Sequence, residues 1–497
     1  MNAQIPVEVV GAAQFVQRGV ELADALDPLA MLCHVAKQAV EDAGGGAALL
    51  ESLDTICLVD AVGWHPENAP ALLADALGAR ATTFVTAPIG GETGLSLING
   101  AAARIAAGQS RAAFVGGVNA LKSLRAAMQA RVRLAWPKGG RGELQFWSDP
   151  RPGETELERR HGLEQPSEFY PLFENALRAR RRRELQAHRT ALGRLFSPMT
   201  RVAAQNPYAW FPVERTADEL CAVSARNRMV AYPYTKYLNA VLDTDQAAGV
   251  ILMSSEAARS AGLSRDRSMY WLGGGFAEEK SWFVSERADL SRSEALEVCA
   301  ARAFDAAGVA IADVDFLDFY SCFPVAVELA CEAYGIEEDD PRGVTITGGL
   351  PYAGGPGSNY TTHAVAAMLE RVRARPGSVG LCTGNGWYLT KHSAALFGSE
   401  PRTAQPREAG PKAVGAEPLP ILQEGSGRGR VEAYTVIYDR EGAPRRGIVL
   451  GRLESGERFV ANTPPDRTLL EAIVARELCG AQGKVECSDG LGCFTPT

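Results

Sequence analysis

Apolar positions recur along the chain with two periods, and their alternation predicts an α/β architecture. The first helical stretch opens at Asp27-Pro28, a capping aspartate followed by a proline whose fixed φ suits the first turn. It carries Leu29, Leu32, Ala36 and Val40 on one face until Gly44 ends it. Apolar runs of strand length follow at 53–62 and 82–87. Next come a glycine turn at Gly90-Gly91, a helix with Leu95, Ile98, Ala102 and Ile105 on one face, and a strand over 112–115 closed by Gly116-Gly117. Strands and helices alternating at this length need a sheet covered by helices.

The same order returns between about 296 and 390. A helix ending in Ala306-Ala307-Gly308 precedes a strand over 314–319, as Asp42-Ala43-Gly44 precedes the first run. A glycine-rich turn near Gly354-Gly355, a helix over about 359–373 and a strand over 379–382 ending at Gly384 complete the repeat. The helix-ending and strand-ending glycines are spaced alike, from 44 to 116 and from 308 to 384. This predicts a duplicated core; an undivided α/β fold with coincident spacing is the alternative. The pattern assigns 1–119 with 231–290 to the first half, 291–398 to the second, and the arginine-rich 120–230, with Trp136, Trp147 and Trp210, to an inserted loop domain. Residues 399–418, rich in proline, glycine and charge, form a predicted linker. Beyond it, strands over 430–438, 447–453, 457–461 and around Val485, with a short helix near 469–478, predict a small five-stranded β-barrel over 419–497.

At 497 residues with 46% hydrophobic and 22% charged side chains, the chain can fill more than one core. No apolar run approaches the roughly 18 residues a membrane span needs. The N-terminal segment lacks the charge and hydrophobicity of an export signal, so cytoplasm is the expected compartment. A net charge of −8 disfavours nucleic acid as a partner. Ten scattered cysteines show no Cys-x-x-Cys pair and no zinc-type spacing, so free thiols and no metal are expected.

Four segments in order carry a family resemblance. Gly90-Gly91-Glu92-Thr93-Gly94-Leu95, followed by a helix to Gly108 and a strand into Gly116-Gly117, resembles the nucleophile region of thiolases, with Gly91 at the cysteine position and Thr93-Gly94 at the family's Ser-Gly. Tyr320-Ser321-Cys322-Phe323 is similar to the His-Asp-Cys-Phe of the sterol-carrier-protein thiolases. Gly348-Gly349-Leu350 and Gly354-Gly355-Pro356 match the family's Gly-Gly and Gly-His-Pro, with Gly355 in place of histidine, and Cys382-Thr383-Gly384 matches Cys-x-Gly. Within the superfamily, Gly355–His363 and Tyr232–Lys236 resemble bacterial thiolase-like proteins of type 1, which add a C-terminal domain.

The resemblance implies a duplicated five-layered α-β-α-β-α fold with a loop domain and a small OB-like barrel. It implies coenzyme A thioesters as substrate or ligand, a nominal acetyl-CoA acetyltransferase role in lipid metabolism, and a homodimer formed through the strand beside the nucleophile helix. A glycine cannot be acylated, so Gly91 excludes the ping-pong acyl transfer of true thiolases. What survives is an amide-lined pocket at Gly91 and Gly384, with Cys382 and Tyr320 as the candidate catalytic pair. Thr93, Gly355 and Asn359 are candidate substrate contacts. Thr93 and Glu92 also fit structural roles at the helix start, and His363 a packing role. Arg181 and Arg182, with Arg178, Arg180 and Arg183, are either a coenzyme A phosphate site or a solvated helix face. Three functions stay open: a thiolase-like acyltransferase, a non-covalent C–C lyase such as a retro-aldolase, and a non-catalytic acyl-CoA carrier whose C-terminal domain docks a protein partner.

Overall fold

A computed structural model describes residues 5–401 and 410–497. The first half orders its strands Thr83–Ala87, Thr55–Val59, Ala112–Ala120, Asp245–Ser254, Val7–Val16, the first three mutually parallel and the last two antiparallel to their neighbours. The second half repeats the path with Phe316–Asp318, Val379–Gly386, Lys391–Gly398 and Met269–Glu279, again parallel, antiparallel, antiparallel. The duplication expected from spacing is therefore present as repeated topology. The halves join where Glu8 faces Tyr270 and Val9 faces Met269.

Two helices fill the middle of the five layers, Thr93–Ala106 and Tyr360–Ala374, and the helices Pro28–Asp42 and Glu294–Ala307 cover the outer faces. Central position explains composition. Every residue of the first central helix from Thr93 to Ala102 is buried, and none of them is charged. A Cβ on Gly94 would lie 2.6 Å from Thr361 Oγ1 and 2.8 Å from Thr362 Oγ1, so glycine permits this helix crossing. Asp27 caps the first helix as expected, accepting from Ala30 N at 2.9 Å.

The long strands 7–16, 245–254, 269–279 and 391–398 were not marked by the hydrophobic pattern. Of the predicted linker, 402–409 lies outside the described residues, and Ala413–Val414 adds a short strand parallel to 269–279.

The C-terminal region is a closed five-stranded barrel. Its strands Gly425–Tyr438, Pro444–Leu453, Arg458–Asn462, Gln482–Ser488 and Leu491–Pro496 close in the order 1-2-3-5-4-1, with the helix Arg467–Ala475 between the third and fourth. This is OB-like connectivity. The barrel does not stand apart: its first strand meets strand Met229–Ala231 at Ile437 and Ala231, and packs on the loop-domain helix Pro166–Arg180. Asn175 Nδ2 on that helix donates to Tyr434 O at 2.9 Å and to Tyr232 O at 3.2 Å. The buried Arg178 pairs with the barrel's Glu477.

Candidate functional site

A cleft of about 440 Å³ opens where both halves and the loop domain meet, lined among others by Gly90, Gly91, Tyr320, Cys322, Phe323, Ser358, Asn385 and Tyr170. The Gly90-Gly91 turn enters the first central helix here. It is fixed from three sides: Gly90 N donates to Ser358 Oγ at 3.0 Å, Thr93 Oγ1 donates to Gly90 O at 2.6 Å, and Ser393 Oγ donates to Glu92 O at 2.9 Å. The Glu92 carboxylate turns away from the cleft into a fully buried ion pair with Lys391, at 2.8 Å.

A side chain on Gly91 has nowhere to go. Its Cβ would collide with the Tyr320 hydroxyl and lie 2.5 Å from the Asn385 carbonyl oxygen. The phenol thus fills the space into which a nucleophilic cysteine would project. Tyr320 follows strand 316–318, is held by its own N–H to Thr383 Oγ1 at 2.9 Å, and stands edge-on to Tyr360. Burial, then the neighbouring Cys322, raises its hydroxyl well above the usual tyrosine range, so it holds its proton at neutral pH.

Around it run polar groups that the sequence reading did not single out. Asn385 Nδ2 donates to Tyr170 OH at 2.8 Å and contacts Cys322 Sγ at 3.9 Å, and Tyr170 OH donates to Trp387 O at 2.9 Å. Burial pushes the Cys322 thiol up to about 12. Trp387 and Leu389 close the adjoining turn with φ of 51° and 57°, a left-handed conformation costly for such side chains. Cys322 sits inside a motif quoted above, two residues past Tyr320, and Asn385 directly follows another, three residues past Cys382. Tyr170, on the loop domain, carried no local signal.

Of the predicted site residues, the structure brings Gly91 and Tyr320 onto the cleft and places the others elsewhere. Cys382 is fully buried inside strand 379–386, opposite Asp318 and Ala395, and burial followed by Asp318 raises its thiol well above the ordinary range. It does not line the cleft. Gly384 packs against the helix start, where a Cβ would lie 2.8 Å from Glu92 Cα. Thr93 closes the turn. Gly355 donates its N–H to Val241 O at 2.8 Å, and Asn359 Nδ2 clamps Gly117 O at 2.7 Å. His363 Nδ1 meets Gln14 Oε1 at 3.0 Å in a packing role.

Arg181 does not face the cleft; it is engaged by Glu328, Glu332 and Glu338 at 2.6–2.7 Å. Arg182 is exposed and also outside the lining. Among the described residues no lysine, arginine or histidine lines the cleft, whereas Glu154 and Glu164 do.

With this geometry in view, residues 411–490 match the sequence family described as the thiolase-like protein type 1 additional C-terminal domain. No curated protein matches the chain. Among solved structures, a monomeric SCP2-thiolase-like protein type 1 from Mycobacterium smegmatis is similar over 100% of both chains, at 29% identity and a TM-score of 0.82. The dimeric peroxisomal thiolase of Saccharomyces cerevisiae aligns at 14% identity and a TM-score of 0.59, covering 80% of this chain and 98% of its own. An Ltp2-ChsH2(DUF35) aldolase aligns at 14% identity and a TM-score of 0.60, covering 79% and 97%. At that identity the last two share the fold alone. No helix among the described residues is long and apolar enough to cross a membrane. The repeated topology, the barrel match and the full-length similarity agree: the chain belongs to the thiolase superfamily, as a relative of the SCP2-thiolase-like proteins of type 1 that carries their additional C-terminal domain.

Proposed function

We propose that the cleft binds the acyl end of a thioester and breaks or forms a C–C bond beside its carbonyl without an acyl-enzyme. The observation that supports this is the exchange of roles at one point in space, with Tyr320's hydroxyl standing where Gly91 offers no nucleophile. In the cleaving direction, the phenolate takes the proton of a β-hydroxyl, the Cα–Cβ bond breaks to give an aldehyde and an enolate, and the phenol returns the proton to Cα. The enolate oxygen is met by the side-chain amide of Asn385, which lines the cleft. An aldolase among proteins of this fold is compatible with such chemistry.

The pH dependence follows from the direction of the Tyr320 shift. A phenol held above its usual range is the inactive, protonated form at neutral pH, so the rate of β-hydroxyacyl thioester cleavage is expected to rise about tenfold per pH unit from pH 7 to 9. Tyr320→Phe abolishes cleavage, and mass spectrometry after incubation with substrate finds no acyl adduct. A stable adduct would defeat the non-covalent reading. Tight thioester binding with neither cleavage nor α-deuterium exchange would establish the carrier role instead.

A further inference from the structure

Behind the cleft wall, three helices bring Glu174, His188 and Glu328 together: Pro166–Arg180, Leu185–Gln205 and Pro324–Tyr334. All three side chains are fully buried, and one donor atom from each lies within 4.8 Å of the other two. Their outer edges are already held. Tyr234 OH donates to Glu174 Oε2 at 2.6 Å, and Arg181 and Arg183 donate to Glu328 Oε1 at 2.6 and 3.1 Å. Their inner edges face one another. His188 Nε2 lies 2.7 Å from Glu174 Oε1, while Glu328 Oε2 and His188 Nδ1 have no hydrogen-bond partner despite complete burial.

An imidazole and two carboxylates, each acid oriented by an outer partner, make up a donor set for a borderline divalent metal. We propose that Glu174, His188 and Glu328 form a closed site for one divalent cation of the zinc or manganese class, tying the loop domain to the second half. None of the three ligands lines the cleft, and Phe323, which does, stacks 5.6 Å from Tyr234 between them, so the cation is structural.

The other charged groups nearest the cluster are the cations Arg178, Arg181 and Arg183 and the acid Glu338.

The full chain, stripped with EDTA and titrated with Zn²⁺ and separately with Mn²⁺, tests this. About one equivalent retained after gel filtration is expected, with a rise in Tm. Glu328→Gln and His188→Gln should each weaken binding at least about tenfold. Retention below about 0.1 equivalent overturns the site. So does equal binding by wild type and both variants, which would place the metal on cysteines such as the exposed Cys493. If a variant does not fold, retention of the equivalent by the wild type after alkylation of its exposed thiols decides, and its loss overturns the site.

Discussion

At position 91 the absence of one side chain and the presence of another are a single fact. Gly91→Cys would drive a thiol into the Tyr320 phenol, and overpacking of this kind costs about 1–3 kcal/mol. Tyr320→Ala removes the obstacle. The double variant should be more stable than the sum of the two single changes by more than about 0.5 kcal/mol, read from denaturant unfolding; strict additivity would deny the contact. Sequence reading found both members of this pair from their places in motifs. It put its main catalytic weight on Cys382, because a motif gives order along the chain and not which face of a strand a residue occupies. Asn385, three residues on in the same strand, reaches the cleft in its place. Glu92 was ambiguous for a related reason: its partner Lys391 is far away in sequence, and a buried ion pair has no local signature. Lys391→Met should therefore destabilise by about 3–5 kcal/mol by leaving the carboxylate unpaired.

At the scale of elements, two of the strands the pattern missed share a physical cause. Strands 245–254 and 391–398 are buried on both faces, so they lack the polar alternation that marks a half-exposed strand. Small residues such as the Ala394-Ala395 pair and Gly249 hide them further. The short strand Leu144–Phe146 was also unforeseen, and it matters for assembly. It pairs parallel with Thr83–Ala87, at the sheet edge that the family resemblance marks for dimer pairing, and the following Trp147 packs on Gly100 of the first central helix. An edge already occupied is closed to a second chain. Light scattering should accordingly give a monomer mass, and Trp147→Ala should increase self-association if this cap is what prevents it. A stable wild-type dimer through this edge would refute the cap.

For the whole molecule, charge sets which ligands the cleft favours. The chain carries a net −8, and the cleft lining holds Glu154 and Glu164 with no cationic residue among the described ones. The phosphates of a coenzyme A thioester should be repelled over roughly a Debye length, about 10 Å at 0.1 M salt. Raising salt should strengthen binding of the coenzyme A thioester and leave a truncated pantetheine thioester unaffected, measured by calorimetry. Weaker coenzyme A binding at high salt would instead reveal a basic contact. Of the arginines that suggested such a contact in the sequence, Arg178, Arg180, Arg181 and Arg183 are spent on Glu328, Glu332, Glu338 and Glu477, acids up to about 300 residues away, a pairing that composition alone could not disclose.

The bond between Arg178 and Glu477 also sets a timetable. A ribosome adding about 5–20 residues per second takes some tens of seconds to pass from one partner to the other. During that interval helix 166–180, which carries Tyr170, has neither its counter-ion nor the barrel strand that accepts from Asn175. The helix that lends Tyr170 to the cleft wall therefore reaches its final surroundings only once the barrel has been made, long after the helix itself.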